Sequence, residues 1–112
     1  TLQIPSTLPT LDELWGTEGM DAKGINDKYL DLLEPNLNVH TIHTEMEGGN
    51  MSCVFERFVD CCLEGEVAFM TLKEVALRNR ALPATGIDDI QMAELPGRAG
   101  KLAVQGRLFG IR

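Results

Sequence analysis

The sequence predicts an α/β fold in which buried strands alternate with helices. Two observations support this prediction. Residues 37–42 and 67–70 form short apolar runs without a polar face, and the segment after each run has apolar residues at helical spacing. The resulting order of strand, helix, strand and helix over residues 37–79 is typical of a parallel sheet. Because two such units would leave unpaired sheet edges, we expect this chain to be one part of a larger α/β domain.

Capping boxes mark the start of two of the predicted helices. Thr10 and Glu13 form the first box, and Thr71 and Glu74 form the second. In this pattern, the hydroxyl and the carboxylate each bind a main-chain amide at the start of a helix. A short helix should therefore begin after Thr10, and another should run from the second box to about Asn79.

The remaining apolar pattern predicts two further helices and a change of character near the end. Apolar residues at helical spacing indicate a helix over residues 25–33 and a longer one over residues 51–64. Prolines and glycines then punctuate residues 82–112, which favours an irregular or hairpin extension. Within it, residues 87–95 and 102–109 could pair as the two strands of a hairpin.

The composition indicates an acidic globular protein. Of 112 residues, 44% are apolar, and 17 acidic residues against 10 basic ones give a formal net charge of −7. This balance argues against nucleic-acid binding, since phosphate contacts need clustered Lys and Arg. The three cysteines form no disulfide framework, which favours a cytoplasmic setting. No apolar run approaches the ~20 residues that a membrane-spanning helix needs, so membrane contact would be peripheral.

His43 is the candidate catalytic residue. It follows the apolar run at residues 37–42 and precedes a polar, glycine-containing loop. In α/β folds, side chains at the carboxyl end of a strand face the ligand, because the loops that shape the site begin there. The alternative is a histidine that ends a strand and hydrogen-bonds a loop. His40 would point to the opposite face of the strand, so the two imidazoles could not easily share a metal ion.

Glu45 and Glu47 are secondary candidates. If the strand continued beyond His43, both carboxylates would share its face and could contact substrate or orient the imidazole. The simpler interpretation is that the chain turns over residues 45–49 and that both carboxylates are solvated. The sequence leaves these two possibilities open.

Three stretches of the sequence carry a resemblance to a known family. They are residues 3–13 (QIPSTLPTLDE), 39–48 (VHTIHTEMEG) and 65–74 (GEVAFMTLKE). In this order they resemble the C-terminal part of the bacterial 4-deoxy-4-formamido-L-arabinose-phosphoundecaprenol deformylases, which belong to the polysaccharide deacetylase family. The resemblance implies that residues 1–112 are the C-terminal portion of a distorted (β/α) barrel. The N-terminal half of that barrel would then be a necessary partner.

The resemblance implies a metal-dependent hydrolase. In the family, a divalent metal, usually zinc, activates a water molecule, an aspartate acts as base, and a histidine that His43 matches protonates the departing amine. An amide nitrogen leaves poorly unless it is protonated, and imidazole titrates close enough to neutrality to supply that proton. The family's acidic motif and its His-x-x-x-His motif are absent from this sequence. We therefore expect no metal ligand in this chain and no activity from it alone.

The implied substrate is a formamido-arabinose carried on undecaprenyl phosphate. The resemblance places the reaction at the cytoplasmic face of the inner membrane, in a lipid A modification that confers resistance to cationic antimicrobial peptides. Thr7 and Pro9 belong to a proline-stiffened segment, residues 4–13, that would shape the sugar or prenyl-phosphate pocket or else pack as a linker. Two rival functions stay open: a non-catalytic truncated or scaffold domain, and a polysaccharide N-deacetylase of the same family.

Overall fold

A computed structural model describes residues 2–82, 89–94 and 99–105 of the chain. The chain divides into two compact units. We call Ser6–Ala68 the core unit, and Phe69–Arg112 together with Thr1–Pro5 the hairpin unit. In chain order, the described elements are α1 (Leu11–Leu14), α2 (Ala22–Leu32), a π-helical turn (Met46–Asn50), α3 (Ser52–Glu64), α4 (Leu72–Arg80), β1 (Ile90–Glu94) and β2 (Lys101–Gln105).

All four predicted helices are present, and both capping boxes are confirmed. Before α1, the amide of Thr10 donates to Oε2 of Glu13 at 2.9 Å. Before α4, the amide of Thr71 donates to Oε2 of Glu74 at 2.7 Å, and the amide of Glu74 donates to the Thr71 hydroxyl at 3.2 Å. These bonds satisfy main-chain donors that have no partner within the helix, which is why both helices begin where the sequence predicts.

The interior of the core unit lies between α2 and α3. Buried residues recur at every fourth position, which brings them onto one face of each helix. They are Ile25 and Tyr29 on α2, and Val54, Phe58 and Cys62 on α3. The other members of the buried cluster are Leu8, Leu11, Leu14 and Met51. Fully burying one such large side chain contributes roughly 1.5–3 kcal/mol, so this cluster is the main source of the unit's stability.

The strand predicted over residues 37–42 is not formed. These residues are extended, but they lack a strand's hydrogen-bonded ladder, and Leu37 and Ile42 each keep 47% of their surface exposed. A strand requires a paired neighbour along its length. Here, the neighbouring segment bonds the main chain only at Val39, through the amides of Thr7 and Leu8 and the Thr7 hydroxyl. The prediction of a strand covered on both sides is therefore wrong for this segment.

The second predicted strand is also absent, whereas the hairpin is confirmed. Residues 67–70 are exposed and irregular. Among the described residues, the sheet consists of β1 and β2, paired antiparallel from Ile90 opposite Gln105 to Glu94 opposite Lys101. The outer ends of the predicted hairpin strands, at 87–88, 95 and 106–109, lie outside the described residues. The chain is thus α/β in the broad sense of mixed helices and strands, without the predicted parallel pairing in its described parts.

None of the helices described between residues 2 and 82 is long and apolar enough to cross a membrane.

Candidate functional site

His43 lies where the extended segment of the core unit passes into a helical turn. Hydrogen bonds to a neighbouring segment hold the residues that precede it. The amide of Thr7 donates to the carbonyl of Val39 at 2.9 Å, and the amide of Val39 donates to the Thr7 hydroxyl at 2.8 Å. The hydroxyls of Ser6 and Thr41 are 2.6 Å apart. The stretch before Pro9 therefore fixes the path of the chain towards His43.

The imidazole of His43 faces a carboxylate that the sequence did not single out. Its Nδ1 lies 3.6 Å from Oδ1 of Asp12, the second residue of α1. This is an ion-pair distance, slightly longer than a hydrogen bond. The two side chains keep 40% and 55% of their surfaces exposed, so the pair is open to a ligand. Nδ1 itself is buried and has no hydrogen-bond partner among the described residues, which leaves Nε2 as the ring nitrogen available for chemistry.

Asp12 escapes sequence reasoning because its position has a sufficient local explanation. It lies between Thr10 and Glu13 of a capping box, where an acidic residue stabilises the first turn of a helix. Its contact with His43 joins residues that are distant in sequence. The one signal in the sequence is the proline-stiffened segment at residues 4–13, which includes Asp12 and is a candidate for shaping a pocket.

Glu47 is buried rather than solvated, contrary to the simpler interpretation of residues 45–49. It keeps 4% of its surface exposed, and its Oε2 accepts a hydrogen bond from the amide of His43 at 2.8 Å. In return, the amides of Met46 and Glu47 donate to the carbonyl of His43 at 2.9 and 3.0 Å. One helical turn therefore holds both main-chain polar groups of His43.

The other candidate contact residues differ in their exposure and in whether their polar groups are already hydrogen-bonded. Glu45 is exposed. Thr7 is also exposed, but its amide and hydroxyl are engaged with Val39. Pro9 is half-buried in front of α1. As contacts for a substrate, all three stay predictions.

His40 belongs to the core and not to the pair formed by His43 and Asp12. Its ring centroid lies 4.7 Å from that of Tyr29 and 5.6 Å from that of Phe58. Burial lowers the pKa of His40, and the nearby Glu47 carboxylate opposes this effect more weakly. Burial also raises the pKa of Tyr29, with a further rise from Glu47 and Asp12. Both rings are therefore largely neutral near pH 7.

The described residues do not form a metal site of their own. Across residues 2–82, 89–94 and 99–105, no three His, Cys, Asp or Glu side chains come together in a way that could hold a metal ion. The divalent metal that the resemblance implies does not fit this set of side chains, because a protein metal centre generally needs at least three ligands. Its ligands would have to come from elsewhere.

The pair formed by His43 and Asp12 has an arrangement that acid–base chemistry can use. An imidazole with one nitrogen facing a carboxylate and the other available can act as a general acid or base. No family model matches the chain, and no solved structure matches it.

Two curated relatives match nearly the whole chain. It is 36% identical over 108 residues to the "Probable 4-deoxy-4-formamido-L-arabinose-phosphoundecaprenol deformylase ArnD" of Shewanella sediminis (strain HAW-EB3), a match that covers 96% of this chain and 35% of that protein. It is 34% identical over 111 residues to the protein of the same name from Wigglesworthia glossinidia brevipalpis, covering 97% and 38%.

The chain spans little more than a third of the length of these curated relatives. The resemblance inferred from the sequence is confirmed: the chain is a relative of these deformylases and is similar to their C-terminal part.

Proposed function

We propose that this chain supplies the proton-donating part of an N-deformylase that acts on a formamido-arabinose carried on undecaprenyl phosphate. One fact supports the substrate and the reaction: both curated relatives are named as probable deformylases of this formamido-arabinose compound. The observation that carries the mechanism is the 3.6 Å approach of His43 Nδ1 to Asp12 Oδ1 at a half-exposed position.

The chemistry requires a proton at the departing nitrogen. In hydrolysis of a formamide, water adds to the formyl carbon, the C–N bond breaks, and formate and the sugar amine are released. The electron pair of the broken bond goes to nitrogen, which leaves readily only when it is protonated. His43, as an imidazolium, donates that proton from Nε2. Asp12, which faces Nδ1, keeps the ring in position.

We propose that the remaining parts of the reaction are supplied from outside the described residues. The resemblance implies a metal-dependent hydrolase with an aspartate base, while the described side chains form no metal site. We propose that the metal ligands and the base belong to the part of the relatives that this chain does not match. The chain alone would then be inactive.

The setting follows from the substrate class. A sugar on a polyprenyl phosphate is held at a membrane surface, so we propose peripheral contact with the cytoplasmic face of the inner membrane, within the lipid A modification that the resemblance implies. Thr7, Pro9 and Glu45 are the proposed substrate contacts. The hydrogen bonds from Thr7 to Val39 support this arrangement, because they hold residues 6–8 alongside the segment that leads to His43.

The test is a deformylation assay on a chimera of this chain with the upstream region of the Shewanella sediminis relative. We expect His43→Ala to lower the rate by about 10²–10⁴-fold, because a general acid is lost. Glu56→Gln, an exposed substitution on α3, is the matched control and should leave the rate unchanged. A His43→Ala rate within a factor of two of the parent would remove His43 from the mechanism. Release of acetate from the acetamido analogue that is faster than release of formate from the formamido substrate would favour an N-deacetylase instead.

A further inference from the structure

We infer that Glu47 is a positioning residue, which anchors the main chain of His43 from inside the core unit and so sets where the imidazole stands against Asp12. This inference rests on the proposed function and assigns Glu47 a role within the same site. The sequence allowed two roles for Glu47, contact with substrate or orientation of His43, and the contacts of its carboxylate favour the second.

The hydrogen bonds around His43 form a closed arrangement. Its amide donates to Oε2 of Glu47, and its carbonyl accepts from the amides of Met46 and Glu47. Because both main-chain polar groups of His43 are held within one helical turn, its backbone has little freedom to rotate. The direction of the side chain towards Asp12 follows from that fixed backbone and from the staggered positions that χ1 allows.

The environment of Glu47 explains why substrate contact is the weaker alternative. The carboxylate is 4% exposed, and it lines a crevice with Tyr29, His40 and Phe58. Its negative charge acts on the pKa values of both Tyr29 and His40, which places it among the core side chains. Glu45, two residues earlier, is exposed and better placed to meet a ligand.

Burying the Glu47 carboxylate costs free energy, so its presence needs a compensating interaction. Its Oε1 has no hydrogen-bond partner among the described residues, and neither do the Tyr29 hydroxyl and Nε2 of His40. Burying polar atoms without partners is unfavourable. An apolar side chain would pack against these rings at lower cost, but it would leave the His43 amide without an acceptor. The hydrogen bond from the His43 amide therefore requires a side chain at residue 47 that can accept it.

Hydrogen exchange of the His43 amide in the 112-residue chain tests the anchor directly. We expect Glu47→Ala to speed this exchange by about tenfold, because the amide loses its acceptor. Glu47→Asp keeps the charge but shortens the side chain, so it should also speed exchange of the His43 amide. It replaces Glu47→Ala in the test if that variant does not fold. Glu47→Gln retains an oxygen that can accept the bond and should stay close to the parent. Glu45→Ala, the matched control for this measurement, should leave the exchange rate of the His43 amide unchanged.

The assay of the chimera then separates positioning from substrate binding. Loss of positioning should lower kcat by about tenfold or more with little change in KM, and Glu47→Gln should restore most of the rate. A higher KM at unchanged kcat would instead make Glu47 a substrate ligand and overturn the inference, as would an unchanged exchange rate at His43 in Glu47→Ala and Glu47→Asp. If His43→Ala left the activity unchanged, the proposed function would fail. The exchange measurement would still show whether Glu47 anchors the His43 amide.

Discussion

The core unit and the hairpin unit contrast in what their elements bury. In the core unit, one face of α2 and one face of α3 are withdrawn from water around Tyr29 and Phe58. In the hairpin unit, α4 has no buried residue, and Ile90 and Met92 on β1 keep 79% and 60% of their surfaces exposed. Caps and turns are thus enough to form a helix or a hairpin, whereas a site built from side chains needs a buried core that fixes their positions. Asp12, His43 and Glu47 all lie in the core unit.

The largest expected effect is on the core itself. Phe58→Ala should destabilise the chain by about 3–5 kcal/mol, because it removes a buried aromatic ring and leaves a cavity beside Tyr29 and His40. Leu77→Ala, at a position in α4 that is 54% exposed, is the comparison and should change the free energy of unfolding by no more than about 0.5 kcal/mol. Urea unfolding of both variants measures the difference. Equal losses would show that α4 is as well packed as α3.

A smaller effect is expected at the start of α4. Thr71→Ala removes the hydroxyl that caps this helix and should cost about 1 kcal/mol of local stability, read as faster hydrogen exchange of the α4 amides. Lys73→Ala, an exposed change in the same turn, serves as control. Because α4 buries no residue, its cap should matter more than its side-chain packing. An α4 whose exchange does not respond to Thr71→Ala would contradict that view.

The smallest expected effect is on the pH dependence of stability, which should have a different cause in each unit. In the core unit, burial holds the pKa of His40 below its ordinary value of 6.5, so the unfolded chain takes up a proton first as the pH falls. Stability should therefore begin to decline below pH 6.5, and His40→Phe should lessen the decline between pH 7 and 5. Thermal unfolding of both proteins across this range measures it. Equal declines in the two would remove His40 as the cause.

In the hairpin unit, the corresponding group is Glu74. The Thr71 amide, and then its hydroxyl, hold the pKa of Glu74 below its ordinary value of 4.5. The unfolded carboxylate accepts a proton before the folded one, so the contribution of this cap is present above pH 4.5 and is lost as the pH falls further. Glu74→Gln should abolish that additional loss in the α4 amides, and a parent-like loss in Glu74→Gln would rule the carboxylate out.

The same contrast explains how much the sequence could predict. The helices and the hairpin depend on local signals, such as the capping boxes at Thr10 and Thr71, and these were read correctly. The strand at residues 37–42 depends on a paired neighbour, which an apolar run cannot show. Asp12 and Glu47 depend on the packing of α1 and the helical turn after His43. Asp12 has an adequate local explanation as a helix-start acid, so its contact with His43 became visible only in the structure. The sequence allowed that Glu47 orients His43, but it could not show that Glu47 is buried and accepts a hydrogen bond from the His43 amide.

Asp12 should act through His43, and a double-mutant cycle distinguishes this from an independent contribution. Deformylation by the chimera should be measured for Asp12→Asn, His43→Ala and the double variant. If Asp12 works by keeping the imidazole in position, the double variant should be no slower than His43→Ala alone, since Asp12 then has nothing to act on. Losses that multiply in the double variant would show that the two residues contribute independently and would contradict the account.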